Sequence, residues 1–414
     1  MYKERGEINL MAPAGSFDSL TAAIQGGADS IYFGIGKMNM RSRSSFNFSE
    51  KDIKKIVRIC RHFNKKAYMT LNIILYNSEL DEAKRLIEVA KSEGIDALII
   101  SDHAAIEFAR QAGMEVHAST QLNISNIESL KFYSKYADVV VLARELSLGQ
   151  IKEIALQVKE QNIKGPNGDL MKIEIFSHGA LCMAVSGKCY LSLHNHNFSA
   201  NRGECLQDCR RGYIVTEKES GNQLEIDNSY VMSPKDLCTI GFLDKIIEAG
   251  VSVLKIEGRA RSPEYVKIVT ECYDIAIKSY FNGTYDRAKI DQLESRLSTV
   301  YNRGFWDGYY LGKMTGEWND RYGSRAVKKK VYTAKAMNFF NKLGVADFLC
   351  EAGSLNAGDN VLIIGPTTGV IEHIIKELMV DDKITDQVNK GERFSFLVDR
   401  KIRRADKLYK LIDA

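Results

Sequence analysis

Short apolar runs alternate with longer amphipathic segments along the first two thirds of the chain. Eight runs have the length of a strand and end in polar residues or glycine; they span residues 8–16, 30–36, 66–72, 97–102, 115–123, 139–145, 172–179 and 251–259. Between them the apolar positions follow helical spacing, as Ile53, Ile56, Val57 and Cys60 do. Eight strands that alternate with helices predict a closed α/β barrel of the TIM type, with a doubly wound open sheet as the alternative.

The alternation predicts three parts of the chain. Residues 1–285 form the TIM-like barrel, which carries a cysteine-bearing insertion, 180–240, after the seventh strand. Residues 286–325 are interpreted as a helical linker. Residues 326–414 show short strands separated by turn signals, which predict a small C-terminal β-barrel and a candidate RNA-binding domain.

Composition adds little, but the distribution of charge is informative. The 414 residues are 45% apolar and 27% charged, as in ordinary globular chains. The formal net charge is +4, and the residues from Arg325 onward, with 16 basic and 12 acidic side chains, hold all of that excess. A basic appendage is compatible with contact to a phosphate backbone, and equally with a solvated surface. No segment resembles a signal peptide or a bilayer-spanning helix, which predicts a cytoplasmic protein without a membrane partner.

Polar side chains follow most of the predicted strands, and the carboxyl ends of barrel strands surround the active site in this fold. We expect a pocket for a small anionic ligand there, because guanidinium groups bind carboxylates in a planar, two-pronged geometry. The candidate substrate-binding residues are Arg41, Arg43, Asn72, Gln121, Arg144 and Arg259. The candidate catalytic residues, chosen from their positions on strands, are Glu145, His178, Lys255 and Glu257.

Five of the eight cysteines lie between the seventh and eighth predicted strands: Cys182, Cys189, Cys205, Cys209 and Cys238. Clustered thiols in a reducing compartment favour metal ligation, and soft thiolates select zinc or iron–sulfur clusters. Paired C-x-x-C knuckles typical of zinc ribbons are absent from the sequence. A structural zinc, free structural thiols and a cysteine nucleophile with a nearby histidine remain open at this point.

Several segments together resemble the collagenase-like peptidases of family U32. The signature is EIFSHGALCMAVSGKCYLS (174–192), and LMAPAGSFDSLTAAIQGGADSIYFG, LARELSL, SANRGECLQDCR, MSPKDLC and LKIEGRARS support it. The similarity covers essentially the whole chain. It implies one of several activities found in the family, which includes RNA hydroxylases as well as proteins named as peptidases.

The length and the added C-terminal domain are most similar to the group that hydroxylates the wobble uridine of tRNA to 5-hydroxyuridine in a prephenate-dependent reaction. The resemblance implies a 4Fe-4S cluster held by Cys182, Cys189, Cys205 and a fourth ligand, for which Cys238 is preferred and Cys209 is the alternative. It also implies a tRNA anticodon stem-loop and a small dicarboxylate as partners. A collagenase-like peptidase and an rRNA cytidine hydroxylase are the alternative functions.

Overall fold

The computed structural model describes residues 4–43, 47–214, 218–219, 232–313 and 315–414. Eight parallel strands form a closed barrel, because β1 pairs with both β2 and β9 while β7 pairs with both β6 and β9. The strands are β1 (Asn9–Pro13), β2 (Ser30–Gly34), β3 (Lys66–Leu71), β4 (Ala97–Ile100), β5 (Glu115–Ala118), β6 (Val139–Val141), β7 (Lys172–Ala180) and, after the short strand β8 (Asp236–Cys238), β9 (Val253–Ile256). The TIM-like barrel expected from the sequence is confirmed.

Ten α-helices accompany the strands in the described residues, and eight of them, α1–α6, α8 and α9, alternate with the barrel strands. Their bounds are α1 Phe17–Gln25, α2 Ile53–His62, α3 Leu80–Glu93, α4 His103–Gln111, α5 Ile127–Tyr133, α6 Leu148–Glu160, α7 Leu191–His196, α8 Leu243–Glu248, α9 Pro263–Phe281 and α10 Arg287–Ser298. Helix α3 shows the pattern: Ala83, Leu86, Ile87 and Ala90 are buried at helical spacing, and Gly94 ends the helix with φ of 80°. None of the helices in the described segments has the length and hydrophobicity needed to cross a bilayer.

The insertion between β7 and β9 folds back onto the barrel mouth. It contains α7, and its strand β8 pairs antiparallel with the end of β7, with Cys238 opposite His178. A two-residue strand, β10 (Phe305–Trp306), extends this edge by pairing with β8. The surrounding segment 304–323, interpreted from the sequence as linker, packs against the barrel, because Trp306 and Tyr310 are buried and the Tyr310 hydroxyl donates to the Phe176 carbonyl over 2.8 Å.

The C-terminal domain is an antiparallel sheet of eight strands with a separate two-stranded ribbon, β13–β18. The sheet order, β15-β14-β20-β11-β12-β19-β16-β17, leaves β15 and β17 at its edges, so hydrogen bonding closes the first sheet of the protein but not the second. The bounds are β11 Lys328–Phe340, β12 Val345–Cys350, β13 Ser354–Asn356, β14 Asn360–Gly365, β15 Gly369–Ile374, β16 Leu378–Val380, β17 Lys383–Thr385, β18 Gln387–Asn389, β19 Arg393–Leu397 and β20 Lys407–Asp413.

The C-terminal sheet docks on helix α1 at the outside of the barrel. Ala22 packs with Leu362, Ile364 and Val370 in a small apolar cluster. Gln25 closes the contact, since its amide donates to the Thr368 carbonyl (2.8 Å) and its oxygen accepts from the Val370 N–H (2.9 Å). This position leaves the mouth of the barrel uncovered by the sheet.

Candidate active site at the barrel mouth

A cavity of about 440 Å³ lies at the carboxyl ends of the barrel strands, under the insertion. We call it the mouth cavity. Its floor comes from strand ends, as with Tyr32, Thr70 and Lys255, and its roof comes from residues 180–191 and 205–210 of the insertion. The barrel and the insertion therefore form one site, as expected where ligands bind in TIM barrels.

The mouth cavity is strongly cationic. Among the described residues that line it, eight are basic and one, Glu257, is acidic; the basic residues are Arg41, Arg144, Lys188, Arg210, Lys255, Arg259, Arg261 and Arg303. Like charges enclosed in a partly dry cavity repel strongly unless an anion joins them. The charge balance therefore favours an anionic ligand.

Glu257 is held in its ionised form by its neighbours. Arg41 donates to its Oε1 from Nε (3.0 Å) and Nη2 (2.8 Å), and the Tyr32 hydroxyl donates to Oε2 (3.2 Å). Burial alone raises the pKa of Glu257, but Arg41, Arg259 and Arg144 together lower that pKa to about 2. At neutral pH the side chain is thus a fixed anion and not a proton donor.

Arg259 is buried deep in the cavity floor. Its Nη1 donates to Asn39 Oδ1 (2.9 Å) and Thr70 Oγ1 (3.1 Å), and burial lowers its pKa to about 10. The guanidinium fits beside β2 only because residue 34 is glycine: a Cβ on Gly34 would collide with Arg259 and with Asn39. The position of this cation is therefore fixed by backbone geometry as well as by hydrogen bonds.

Three more of the candidate substrate-binding residues line the mouth cavity: Asn72, Gln121 and Arg144. The Arg144 guanidinium lies 3.9 Å above the Phe176 ring, and its buried Nε has no hydrogen-bond partner among the described residues. Arg43 does not line the cavity. It is exposed, and its guanidinium stacks 3.8 Å from the centroid of the Phe198 ring. This stacking turns Arg43 away from the ligand position that the sequence suggested.

The four candidate catalytic residues divide into two pairs. Lys255 and Glu257 line the mouth cavity. Glu145 is exposed and lies outside the cavity lining. His178 is also outside the lining: it is buried among the rings of Tyr265, Tyr273 and Phe305, and burial lowers its pKa to about 4.

The position of His178 has a local cause. The pairing of β7 with β9 shifts register between Phe176 and His178, as at a β-bulge. A bulge changes which face the following side chains occupy. His178 consequently points into the aromatic layer behind the strand, where a neutral imidazole is a packing group, and the structure argues against the catalytic role suggested for it.

Four cysteines line one part of the mouth cavity: Cys182, Cys189, Cys205 and Cys209. We call them the cysteine cluster. Cys182 follows β7, Cys189 precedes α7, and Cys205 and Cys209 lie on the turns that return from α7. Burial raises the pKa of Cys209 to about 11, with Cys182, Cys205 and Cys189 contributing in the same direction. Residues distant in sequence thus lie close enough to influence one another.

Cys238, the fourth ligand preferred from the sequence, does not belong to this cluster. It lies within β8, is 8% exposed, and its thiol contacts Tyr273 on the helix side of the strand. Burial raises the pKa of Cys238 to about 12. Because β8 turns this side chain away from the mouth cavity, the structure favours the alternative, Cys209.

All eight cysteines are described as free thiols. In the residues that the structure covers, no three His, Cys, Asp or Glu side chains converge tightly enough to hold a single metal ion. A tetrahedral zinc site needs its ligands around one centre, whereas each cysteine on a four-iron cluster binds a different iron, so the sulfurs stand farther apart. The four thiols share one part of the cavity, and thiolates are the ligands that iron–sulfur clusters require.

Two further arginines shape the cavity from the side. Arg210 anchors the insertion: its Nη2 donates to the Leu181 carbonyl (2.6 Å) and its Nη1 to the Pro234 carbonyl (2.8 Å). Arg303, which joins the cavity from the segment after α10, forms an ion pair with Asp236 (3.2 Å). Neither residue lies at a strand end, so the strand pattern contained no signal for them.

Comparison with known proteins places these features in a family. Residues 15–320 match the model of peptidase family U32. A protein named "Collagenase" from Porphyromonas gingivalis is 53% identical over 404 residues, 98% of each chain. "Uncharacterized protease MJ0090" from Methanocaldococcus jannaschii is 36% identical over 98% of each chain. "tRNA hydroxylation protein P1" from Bacillus subtilis is 31% identical over 90% of this chain and 87% of that protein.

Proposed function

Because this chain belongs to peptidase family U32, we propose that it is a cytoplasmic RNA-modifying enzyme that hydroxylates the wobble uridine of tRNA to 5-hydroxyuridine. Prephenate is the proposed co-substrate and a 4Fe-4S cluster the proposed cofactor. The observation that carries the proposal is that the described lining of one cavity combines four thiols with eight basic residues and a single acidic one. A relative that aligns over most of both chains is named as a tRNA hydroxylation protein.

The cysteine cluster supplies the ligands for the proposed cofactor. Cys182, Cys189, Cys205 and Cys209 would each bind one iron through a thiolate. Such a cluster, when bound, supplies electron transfer next to the substrate position. Binding of the cluster also requires the cysteines to lose their thiol protons. Because burial raises the pKa values of Cys189 and Cys209, that loss is unfavourable unless the metal stabilises the buried thiolates.

The basic residues that line the mouth cavity supply the proposed binding site for a dicarboxylate. Arg144 is the best candidate to contact it, because its buried Nε lacks a hydrogen-bond partner among the described residues. Its Nη1 reaches the Ala180 carbonyl only at 3.4 Å, and its guanidinium stacks on the Phe176 ring. Glu257 forms an ion pair with Arg41 and so lowers the net positive charge of the cavity lining. A ligand with two carboxylates would offset the remaining charge and fix its own orientation through paired hydrogen bonds.

Pyrimidine C5 is accessible only when the base leaves its stack, and anticodon loops present unstacked bases. The exposed Tyr190 ring at the rim of the mouth cavity, 73% exposed, could stack on such a base. Lys188, beside it in the lining, provides a cation for the phosphate backbone. The insertion thus offers both kinds of contact that a single-stranded loop requires.

Nucleoside analysis of RNA tests the proposal. A strain that lacks the gene, and has no second family member, should lose 5-hydroxyuridine and its derivatives from tRNA. A plasmid copy should restore them, and a Glu257→Gln copy should not. Unchanged tRNA nucleosides would contradict the proposal, and loss of a hydroxycytidine from rRNA instead would assign the enzyme to that substrate.

A peptidase is the second candidate, because the 53% identical relative is named "Collagenase". Hydrolysis of a peptide needs an activated nucleophile or a metal-bound water. In the described part of the mouth cavity no histidine is present to activate a thiol, since His178 is buried elsewhere. Gelatin and a peptide library incubated with iron-replete protein test this candidate: cleavage that Lys255→Met abolishes would support the peptidase and contradict the hydroxylase.

A further inference from the structure

Ionisable side chains occupy the interior of the barrel below the mouth cavity. The centre of such a barrel is ordinarily filled by branched apolar residues. Here His117 of β5 is 1% exposed, Glu174 of β7 is fully buried, and Lys255 of β9 is 5% exposed. Buried charges are costly and weak sources of stability, so a row of them in a core suggests a function.

The side chains follow one another through the barrel. Lys255 Nζ donates to Glu174 Oε1 over 2.7 Å. Glu174 Oε2 lies 3.7 Å from His117 Nδ1, and His117 Nε2 lies 3.2 Å from Glu115 Oε1. We call Lys255, Glu174, His117 and Glu115 the axial chain. Each of the four side chains is ionisable, and each lies within 3.7 Å of the next.

The axial chain connects two separate cavities. Lys255 lines the mouth cavity. Glu115 and His117 line a second cavity of about 490 Å³ that lies at the amino ends of the strands, with Asn9, Lys172 and Val253 among its lining residues. The Glu115 side chain is 32% exposed there. The chain therefore runs from the candidate active site to solvent at the opposite end of the barrel.

The contact between His117 and Glu174, in the middle of the axial chain, lies just beyond hydrogen-bond distance. His117 Nδ1 and Glu174 Oε2 are both buried, and neither has a hydrogen-bond partner among the described residues. Their separation of 3.7 Å exceeds a hydrogen bond, and a rotation that brings them closer by less than about 1 Å would form one. Two buried polar atoms that face each other in a core are costly to leave unpaired, and a hydrogen on His117 Nδ1 directed at the Glu174 carboxylate would satisfy both after such a rotation.

The surroundings favour charge on both members of this link. Burial lowers the pKa of His117, but Glu115 and Glu174 more than offset it, so that the pKa is raised. Burial raises the pKa of Glu174, but Lys255 and His117 reverse this and lower it. The other ionisable groups near His117 are Tyr68 of β3, whose ring centroid is 4.7 Å away, and Asp138, next to β6.

We infer that the axial chain carries protons between the mouth cavity and solvent at the amino end of the barrel. Lys255 passes a proton to Glu174 and takes one from the reacting group in the cavity. Glu174 passes its proton to Nδ1 of a neutral His117 that carries hydrogen only on Nε2. The imidazolium that forms, which the neighbouring carboxylates stabilise, releases its Nε2 proton to Glu115, and Glu115 returns it to water. Rotation of the ring then restores the first tautomer. Each transfer breaks one bond to hydrogen and forms another, and no group is oxidised or reduced.

The inference rests on the proposed function for the origin of the proton, because hydroxylation replaces the C5–H bond of the base. The path of the proton through the barrel follows from the positions of the four side chains and does not depend on that function. A nucleotide that fills the mouth cavity would block water from that side, and a second route for the proton then becomes necessary.

The activity test uses matched variants of the full-length protein. His117→Gln and Glu115→Gln preserve size and remove titration, and Tyr68→Phe removes a neighbouring hydroxyl while it leaves the chain intact. We expect single-turnover hydroxylation to fall about tenfold or more in the first two, with a changed pH profile and solvent isotope effect, and to stay near wild type in Tyr68→Phe. Imidazole should partly rescue His117→Gly. A wild-type rate and pH profile in folded His117→Gln would overturn the inference.

A second readout does not need activity. The ¹⁵N signals of His117 report its protonation directly, and we expect its apparent pKa to fall by about one unit in Glu174→Gln, because an anionic neighbour is lost. Malonate bound in the mouth cavity should also shift this titration through Lys255. If wild-type protein lacks hydroxylation but the shifts occur, the proposed function fails and the axial chain stands. A His117 titration unchanged by both perturbations would remove the chain itself.

Discussion

The barrel and the large C-terminal sheet enclose different kinds of side chain. The barrel encloses Lys255, Glu174 and His117, whereas the C-terminal sheet encloses stacked phenylalanine rings: Phe348 and Phe396 lie 5.1 Å apart at 7°, and Phe394 lies 5.6 Å from Phe348. An apolar interior is the cheaper way to stabilise a fold. The contrast indicates that the barrel gives up stability for chemistry, while the C-terminal sheet does not.

The largest effect expected from this contrast concerns cysteine. Cys182→Ser or Cys209→Ser should abolish iron binding and lower hydroxylation more than about 100-fold, because a ligand of the proposed cluster is lost. Cys350→Ala, in the core of the C-terminal sheet, should keep both. Iron and sulfide analysis after anaerobic purification measures this difference.

The same experiment decides between the two candidates for the fourth ligand. Cys238→Ser should retain iron, because the Cys238 side chain is buried on the other side of β8 and does not line the mouth cavity. Iron lost from Cys238→Ser and kept in Cys209→Ser would reverse the assignment. Zinc in place of iron in the wild-type protein would replace the proposed cofactor.

The second prediction concerns the apolar interior. Phe348→Ala should destabilise the C-terminal sheet by about 3–5 kcal/mol, because a fully buried ring leaves a cavity between Phe394 and Phe396. Prephenate binding at the mouth should persist below the unfolding transition. Denaturant titration followed by near-UV circular dichroism and by calorimetric ligand binding separates the two; equal loss of both would show that the sheets are not independent.

Much of the barrel could be read from sequence, because its strands repeat one pattern. The alternation of apolar runs and amphipathic segments gave eight strands, and the structure confirms them. Strand ends then brought Lys255, Glu257 and Arg259 to one cavity, since every strand of a parallel barrel ends on the same side. Regular repetition turns local signals into a global prediction.

Irregular features could not be read in the same way. A register shift between Phe176 and His178 changed the direction of a side chain, and the path of the insertion decided between Cys209 and Cys238. Neither depends on residue type alone. Glu174 did have a signal, because a single carboxylate inside the apolar run KIEIF is unusual in a buried strand.

The third prediction uses the pH dependence of Glu257. Its pKa of about 2 lies below the value of about 4.3 expected in an unfolded chain, so its ionised form stabilises the fold above pH 4 to 5. That stabilisation is lost as pH falls towards 2. Wild type should exceed Glu257→Gln by roughly 3 kcal/mol in free energy of unfolding at pH 6, and the difference should shrink at pH 3.

Urea titrations at several pH values measure this difference. Glu50→Gln, which loses an exposed pair with Arg85, is the control and should change stability little at any of them. A difference between wild type and Glu257→Gln that stays constant from pH 6 to pH 3 would show that the carboxylate is not held ionised by the arginines.

The fourth prediction separates two arginines that the sequence treated alike. Arg144→Gln should weaken prephenate binding about tenfold, because it removes a cation whose Nε is unpartnered in the mouth cavity. Arg43→Gln should leave the affinity unchanged, since Arg43 stacks on Phe198 outside the cavity. Isothermal titration calorimetry measures both, and equal weakening would restore Arg43 to the binding site.

The smallest effect belongs to the exposed face of the C-terminal sheet. Lys401, Arg403 and Arg404 line a shallow cleft beside Phe339, and the residues of this loop hold much of the positive excess of the domain. If tRNA contacts this face, Lys401→Ala with Arg404→Ala should weaken binding a few-fold and reduce the salt dependence by about one unit of slope per lost contact. Lys383→Ala, at the far edge strand β17, is the control. Filter binding at several salt concentrations measures the slopes. Equal slopes in all three proteins would restrict RNA contact to the barrel mouth, and the C-terminal sheet would then serve only to support helix α1.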